Sequence, residues 1–166
     1  MGRTLLPPDY SIYDDKRFWK KMGGKAWRTV AVELSRGCPY ACTFCCVPMQ
    51  HHQHKVSRDL FAKYKGIDNK VLKQKDPYHR EKPIPQFINE IKEATKKYNI
   101  NFVFITDESF LSMSKDRFEE FCEAYEKIKL PFFIETRVET VKPGYAKKLE
   151  KIGCAGIAMG VESGSL

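Results

Sequence analysis

The apolar positions divide much of the chain into a repeating series. "TVAVELS", residues 29–35, alternates Val30, Val32 and Leu34 with other residues, the period-two pattern of a strand. "PQFINEIKEATKKY" then places Phe87, Ile88, Ile91, Ala94, Thr95 and Tyr98 on one helical face, and its last turn is basic, as the helix dipole favours. "INFVFIT", 100–106, is a compact apolar run of strand length. A second helix is predicted over 115–129, with Phe118, Phe121, Cys122, Tyr125 and Ile128 as its buried stripe. Ser114 is its N-cap, and Arg117 three residues on means that no capping box forms. "PFFIETR", 131–137, reads as a third strand. A short helix over 143–152 stops at Gly153, and "AGIAMGVES", 155–163, is a fourth strand. Gly and Ala alternate there with Ile, Met and Val, which predicts a close approach to its backbone.

Strands alternating with helices predict an α/β fold with a parallel sheet and crossover helices. In such sheets ligands bind at the carboxyl ends of the strands. The residues just past the four strands are Cys38 to Cys46, "TDES", "ETR" and "GVESG". Thiols, carboxylates, an arginine and glycines therefore fall on one rim, where we expect the functional site. Two segments lie outside the pattern. Residues 1–28 carry Pro, Asp, Lys and Trp without periodicity and read as an extended lead-in to a core domain over 29–166. Within that domain, 47–83 shows no sustained period and reads as a long irregular insertion.

The length, 166 residues, suits one domain with its own core, and 42% apolar with 30% charged residues is an ordinary globular composition. No stretch approaches the ~20 apolar residues of a membrane span. "MGRTLLPPDYSIYDD" lacks the apolar core of a secretory signal, so the expected setting is cytoplasmic, without a membrane partner. The net charge of +8 is uneven: from Lys55 to Lys82 there are nine Lys or Arg against four Asp or Glu. Such a cluster can neutralise phosphates, which raises nucleic acid as a partner. With few aromatics to stack on bases and no binding motif, a solvated, mobile loop is the reading adopted.

Of six cysteines, four lie close together in "SRGCPYACTFCC": Cys38, Cys42, Cys45 and Cys46. In a reducing compartment such clustering points to metal or redox chemistry rather than to disulfides. Cys122 and Cys154 sit in apolar patterns and read as buried packing residues. Three thiolates spaced C-x-x-x-C-x-x-C suit zinc or an iron–sulfur cluster. Structural zinc takes four ligands, and His51, His52, His54, Cys122 and Cys154 supply no second knuckle. Three cysteines on a cubane leave one iron open to an exogenous ligand. Cys46 adjoins Cys45, and neighbours in an extended loop point apart, so it reads as a bystander. "HHQH" reads as a solvated turn.

The cysteine loop straight after the first strand resembles that of the radical S-adenosylmethionine (radical SAM) superfamily. "SRGCPYACTFC", "FITDESF", "ETRVETV" and "GCAGIAMGVESGS" follow the order of its cobalamin-linked and methylthiotransferase-like branches, over about residues 26–166 less the insertion. The resemblance implies a partial (βα) barrel, about four strands of a six-stranded core. It implies a [4Fe-4S] cluster on Cys38, Cys42 and Cys45, with SAM on the fourth iron. Phe44 matches the residue near the SAM adenine, and Asp107 and Glu108 stand where many members carry Gly-Gly-Glu against the methionyl amine. Arg137 matches a partner of the SAM carboxylate, and Glu162 with Ser163 the position that bonds the ribose. The implied activity is reductive cleavage of SAM to a 5′-deoxyadenosyl radical, with a flavodoxin- or ferredoxin-type electron donor. Cobalamin is a further cofactor raised by the likeness, although that branch's N-terminal cobalamin domain has no counterpart in this sequence. The series of strands stops at the fourth, which predicts a fragment or a split enzyme whose barrel a second chain completes. The alternative class is a non-catalytic cluster or zinc module whose basic segment contacts RNA.

Overall fold

The structure is a computed structural model and describes residues 8–75 and 78–162. In chain order the elements are β1 (Trp19–Met22), β2 (Lys25–Val32), β3 (Ser35–Arg36), α1 (Val47–Lys65), α2 (Asn69–Lys75), β4 (Arg80–Glu81), α3 (Ile84–Tyr98), β5 (Phe102–Ile105), α4 (Lys115–Tyr125), β6 (Phe132–Arg137), α5 (Tyr145–Lys151) and β7 (Cys154–Gly160). The chain divides into two compact units, Met1–Leu34 with Lys82–Leu166, and Ser35–Glu81.

The first unit is built on a five-stranded sheet of order β1-β2-β5-β6-β7. The four strands expected from the pattern are present and parallel to one another, and β1 adds to β2 antiparallel. Alternate strand residues Val30, Val32, Val103, Ile105, Phe132 and Ile134 pack in one cluster with α3, α4 and α5. The helix faces are those that the 3.6-residue spacing selects, with Phe87 and Ile91 on α3 and Phe118, Phe121 and Tyr125 on α4. Ser114 caps α4 by accepting from the Arg117 amide at 3.3 Å. That helix stops at Tyr125, four residues short of the expected 129, yet Ile128 still packs against the core.

On the opposite sheet face, Phe104 and Phe133 are register partners, with rings stacked at 5.2 Å and 12°. The close approach expected at β7 comes from this face. A Cβ on Gly156 would stand 3.0 Å from the Phe133 ring, so the glycine lets that ring lie against the strand.

Two readings are corrected by the structure. The described part of residues 1–28 is not an extended lead-in. Gly23 and Gly24, at φ 56° and 75°, turn β1 back on β2 as a two-residue hairpin. Phe18 is buried and stacks on Tyr98 at 5.0 Å. Arg28 donates to the Tyr98 carbonyl, pairs with Asp15 at 2.6 Å and lies over the Phe18 and Trp19 rings. The segment docks through single anchors rather than a face, which is why it shows no period.

Nor is 47–83 an irregular loop. In the second unit it forms α1 and α2, so the "HHQH" histidines lie on a helix rather than in a turn. Pro48 sits in the first turn of α1, and Gly66 closes it at φ 62°. The start and stop signals were present, but Ala62 is the sole buried residue of α1, so no core-facing stripe marks it.

Phe121 is fully buried among Phe87, Phe110, Tyr125 and Phe132. Phe121→Ala is expected to lower stability by about 3–5 kcal/mol in urea unfolding, and Phe121→Leu by much less. Equal losses for the two would show that this ring is not the centre of the packing.

Candidate functional site

In the first unit the carboxyl ends of the parallel strands gather polar residues. Leu34, just past β2, is fully buried, and both its backbone groups are bound by distant residues. Its N–H donates to Asp107 Oδ1 at 2.7 Å, and its carbonyl accepts from the Lys82 amide at 2.8 Å. Lys82 Nζ pairs with buried Glu90 at 2.6 Å, and Arg117 donates to the Lys82 carbonyl. Asp107, expected near the SAM amine, is thus wholly buried and holds the end of β2, while its neighbour Glu108 is exposed.

Arg137 ends β6, half-buried, and pairs with Glu139, whose carboxyl is held below its usual range by a backbone N–H and by this guanidinium. The backbone around Arg137 is braced. Thr140 Oγ1 donates to the Arg137 carbonyl at 2.6 Å and lies 2.7 Å from buried Thr136 Oγ1, which accepts the Leu111 amide at 3.2 Å. Register pairing sets Arg137 beside Gly160 of β7. Glu162 follows in the left-handed region at φ 58°, exposed, with its carboxylate over Gly160 where a side chain would collide. Asp107, Glu108, Arg137 and Glu162 therefore share one rim of one sheet. Ser163 lies outside the described residues.

The second unit carries the thiols. β3 and β4 pair antiparallel at the base of the cysteine loop. Gly37 is buried at φ 83°, and a Cβ there would stand 2.5 Å from the Tyr78 carbonyl. Tyr78 stacks on His51 at 4.9 Å, and its hydroxyl lies 3.2 Å from Gln50 Oε1. Gln50 Nε2 reaches Cys46 Sγ at 3.7 Å. One tyrosine thus braces both ends of the loop, a role the sequence does not announce.

Cys38 and Cys42 are half-buried, Cys45 and Cys46 exposed, and none forms a disulfide. The Cys45 amide turns back to the Cys42 carbonyl at 3.2 Å, and Cys45 Sγ accepts the Val47 amide at 3.5 Å. Phe44 is 67% exposed. Among the described residues no three Cys, His, Asp or Glu side chains are drawn to a common metal centre. The donor set nonetheless fits a three-thiolate ligand set: three thiols outside any disulfide on one short loop, with Cys45 Sγ already accepting an amide N–H, as a cluster-bound sulfur does.

Cys122 and Cys154 are set apart from this chemistry. Burial pushes the Cys122 thiol up to about 11 and raises that of Cys154, so both stay neutral packing groups.

The profile of the radical SAM superfamily matches residues 32–165, from the end of β2 through the cysteine loop to the last strand. The chain belongs to the radical SAM superfamily. It is 27% identical to the anaerobic magnesium-protoporphyrin IX monomethyl ester cyclase of Cereibacter sphaeroides over 164 residues, 95% of this chain and 22% of that protein. Its fold is similar to that of TsrM from Kitasatospora setae, a radical S-adenosylmethionine methyltransferase whose structure holds cobalamin and a [4Fe-4S] cluster. The TM-score is 0.56 at 14% identity, over 81% of this chain and 22% of TsrM. This likeness makes the sheet a partial radical SAM barrel. The chain spans 22% of the length of each of these proteins. No helix among the described residues is long and apolar enough to cross a membrane.

Gly37→Ala places a side chain against the Tyr78 carbonyl in a backbone region that L-residues avoid, at a cost above about 1 kcal/mol. Faster alkylation of half-buried Cys38 and Cys42 is expected, with an unchanged unfolding midpoint for the first unit. Unaltered alkylation rates would show that Gly37 is not what holds the loop.

Proposed function

We propose that this chain is a radical SAM catalytic core in which Cys38, Cys42 and Cys45 hold a [4Fe-4S] cluster. The observation that carries the reading is the loop itself: three cysteines outside any disulfide, at C-x-x-x-C-x-x-C spacing, directly after the first parallel strand of a radical SAM barrel. The chemistry such a cluster would supply when bound is the electron for reductive cleavage of SAM to methionine and a 5′-deoxyadenosyl radical.

The chain's own residues would bind and orient. Cys38, Cys42 and Cys45 would hold three irons of the cluster and leave the fourth open to SAM. Arg137 has the planar fork suited to the SAM carboxylate, with its backbone already fixed by Thr136 and Thr140. Glu108, exposed beside the buried Asp107, is the carboxylate free to meet the methionyl amine. Phe44, largely exposed, offers a ring to the adenine, and Glu162 with Ser163 would bond the ribose. Asp107 serves this site through the Leu34 amide rather than by touching SAM. Cobalamin remains a property of TsrM, and no residue here is assigned to it. Among the described residues β7 pairs only with β6, and we read its other edge as the place where a further strand adds, from this or a second chain.

Anaerobic reconstitution with iron and sulfide is expected to load about four irons per chain. Reductant and SAM should then yield 5′-deoxyadenosine. Cys38→Ala, Cys42→Ala and Cys45→Ala should each abolish cluster loading, whereas Cys46→Ala should leave it intact. A colourless chain holding a single zinc would overturn the reading.

A further inference from the structure

Two threonine hydroxyls buried beneath the rim of the first unit form a chain whose direction follows from the chemistry of its ends. Thr140 Oγ1 lies 2.6 Å from the Arg137 carbonyl, which can only accept, so the single Thr140 hydroxyl proton is committed there. Thr136 Oγ1 accepts the Leu111 amide at 3.2 Å and lies 2.7 Å from Thr140 Oγ1. Thr140 has no second proton, so Thr136 donates to it. The chain therefore runs one way, from the Leu111 N–H through the Thr136 and Thr140 hydroxyls to the Arg137 carbonyl. Each hydroxyl donates once. Thr136 is 4% exposed and Thr140 5%, so water does not compete for these bonds, and a buried chain of one direction strengthens its members.

The Leu111 end of the chain belongs to the loop that carries exposed Glu108. That loop is held on both sides of the glutamate: Asp107 binds the Leu34 amide before it, and Leu111 is bound to Thr136 after it. Between these anchors the Ser109 carbonyl accepts the Ser112 amide at 3.1 Å and the Ser112 hydroxyl at 2.7 Å, which closes the segment into a turn. The other end of the chain is the last residue of β6. Side chains alternate along that strand, so buried Thr136 shares the helix-facing side with Ile134, and Arg137 takes the opposite face. Thr136 therefore does not reach a ligand that Arg137 meets. It acts through the backbone, as a positioning residue.

We propose that Thr136 joins the Glu108 loop and the Arg137 strand end into one unit, so that an amine and a carboxylate borne on a single carbon meet two groups already set at a fixed separation. This rests on the SAM reading given above, in which Glu108 faces the methionyl amine and Arg137 the carboxylate. Groups that hold the two ends of so short a moiety gain from a fixed separation, because the cost of ordering them is met before the ligand arrives. The joint also distinguishes this role from a plainer one. Were the Thr136 hydroxyl only a partner for the buried Leu111 amide, its loss would be felt in the Glu108 loop and not at Arg137.

The test reads the metal-free and the loaded chain separately. On the metal-free chain, hydrogen–deuterium exchange follows peptides covering 108–112 and 137–141. Thr136→Val, which keeps the shape and removes the hydroxyl, is expected to speed exchange in both, and Thr140→Val in 137–141 alone. On the reconstituted chain, anaerobic calorimetry with SAM should show Thr136→Val weakening binding about fivefold or more, while Thr136→Ser retains it. The loss caused by Thr140→Val should disappear in an Arg137→Gln background, because it acts through that residue. Iron content should be the same throughout. A Thr136→Val effect confined to 108–112 overturns the proposal, and so do losses from Thr140→Val and Arg137→Gln that simply add. Faster exchange spread over the whole sheet, with Thr136→Ser no better than Thr136→Val, reduces Thr136 to a packing residue and overturns it too. An unaltered chain that loads iron but binds no SAM defeats the SAM reading instead, and the exchange pattern then still decides whether Thr136 joins the two segments.

Discussion

The buried backbone of Leu34 is the constraint on which the carboxyl end of β2 depends. A buried peptide group without partners is costly, and here both its N–H and its carbonyl are bound, by residues that lie far along the chain. Asp107 holds the N–H from the end of β5, and the Lys82 amide holds the carbonyl from the far side of the whole 35–81 excursion. Lys82 is itself anchored, through its ammonium to Glu90 and its carbonyl to Arg117. The two ends of the first unit that flank the excursion, Leu34 and Lys82, are thus joined directly by a backbone hydrogen bond. Closure entropy grows only slowly with loop length once the ends are fixed, so a helical pair can be accommodated there with little effect on the core.

The rim follows from the parallel sheet. Parallel strands bring their carboxyl ends to one side, and each expected charged residue in the described part of the first unit falls at such an end. What differs among them is the freedom left to the side chain. Asp107 is engaged at a buried amide, and Arg137 pairs with Glu139 on a backbone stiffened by two threonines. Glu108 and Glu162 are exposed. A ligand meeting this rim would find some groups already fixed and others free to adjust, an arrangement that favours orientation over new ordering.

The sheet and its three helices were legible because each buries one face against a common core, and burial imposes a period that sequence displays. The N-terminal hairpin was not, although Gly23-Gly24 is a turn signal, because its contacts are single anchors such as Phe18 and Arg28. α1 was missed for a different reason. Its apolar residues point away from its own unit, and without a stripe facing a core, Pro48 and Gly66 carried the only signal. The roles of Asp107 and Tyr78 could not be read at all. An aspartate in "TDES" looks the same whether it meets a ligand or an amide, and the difference lies in Leu34, seventy-three residues away.

The start of α1 also separates the four clustered sulfurs by physical constraint rather than by spacing alone. Cys46 is the N-cap, with helical backbone angles of −74° and −16°, and its carbonyl accepts the Gln50 amide at 3.1 Å. Its direction is therefore set by the helix, and its sulfur lies toward Gln50. Cys38, Cys42 and Cys45 precede that constraint, on a loop in which the Cys45 amide turns back to the Cys42 carbonyl. Convergence of sulfurs on one metal centre requires that each Cα–Cβ direction can adjust, and a residue locked into a helix cannot follow its neighbours. The start of α1 thus fixes the backbone of Cys46 by a helical constraint that begins only after Cys45.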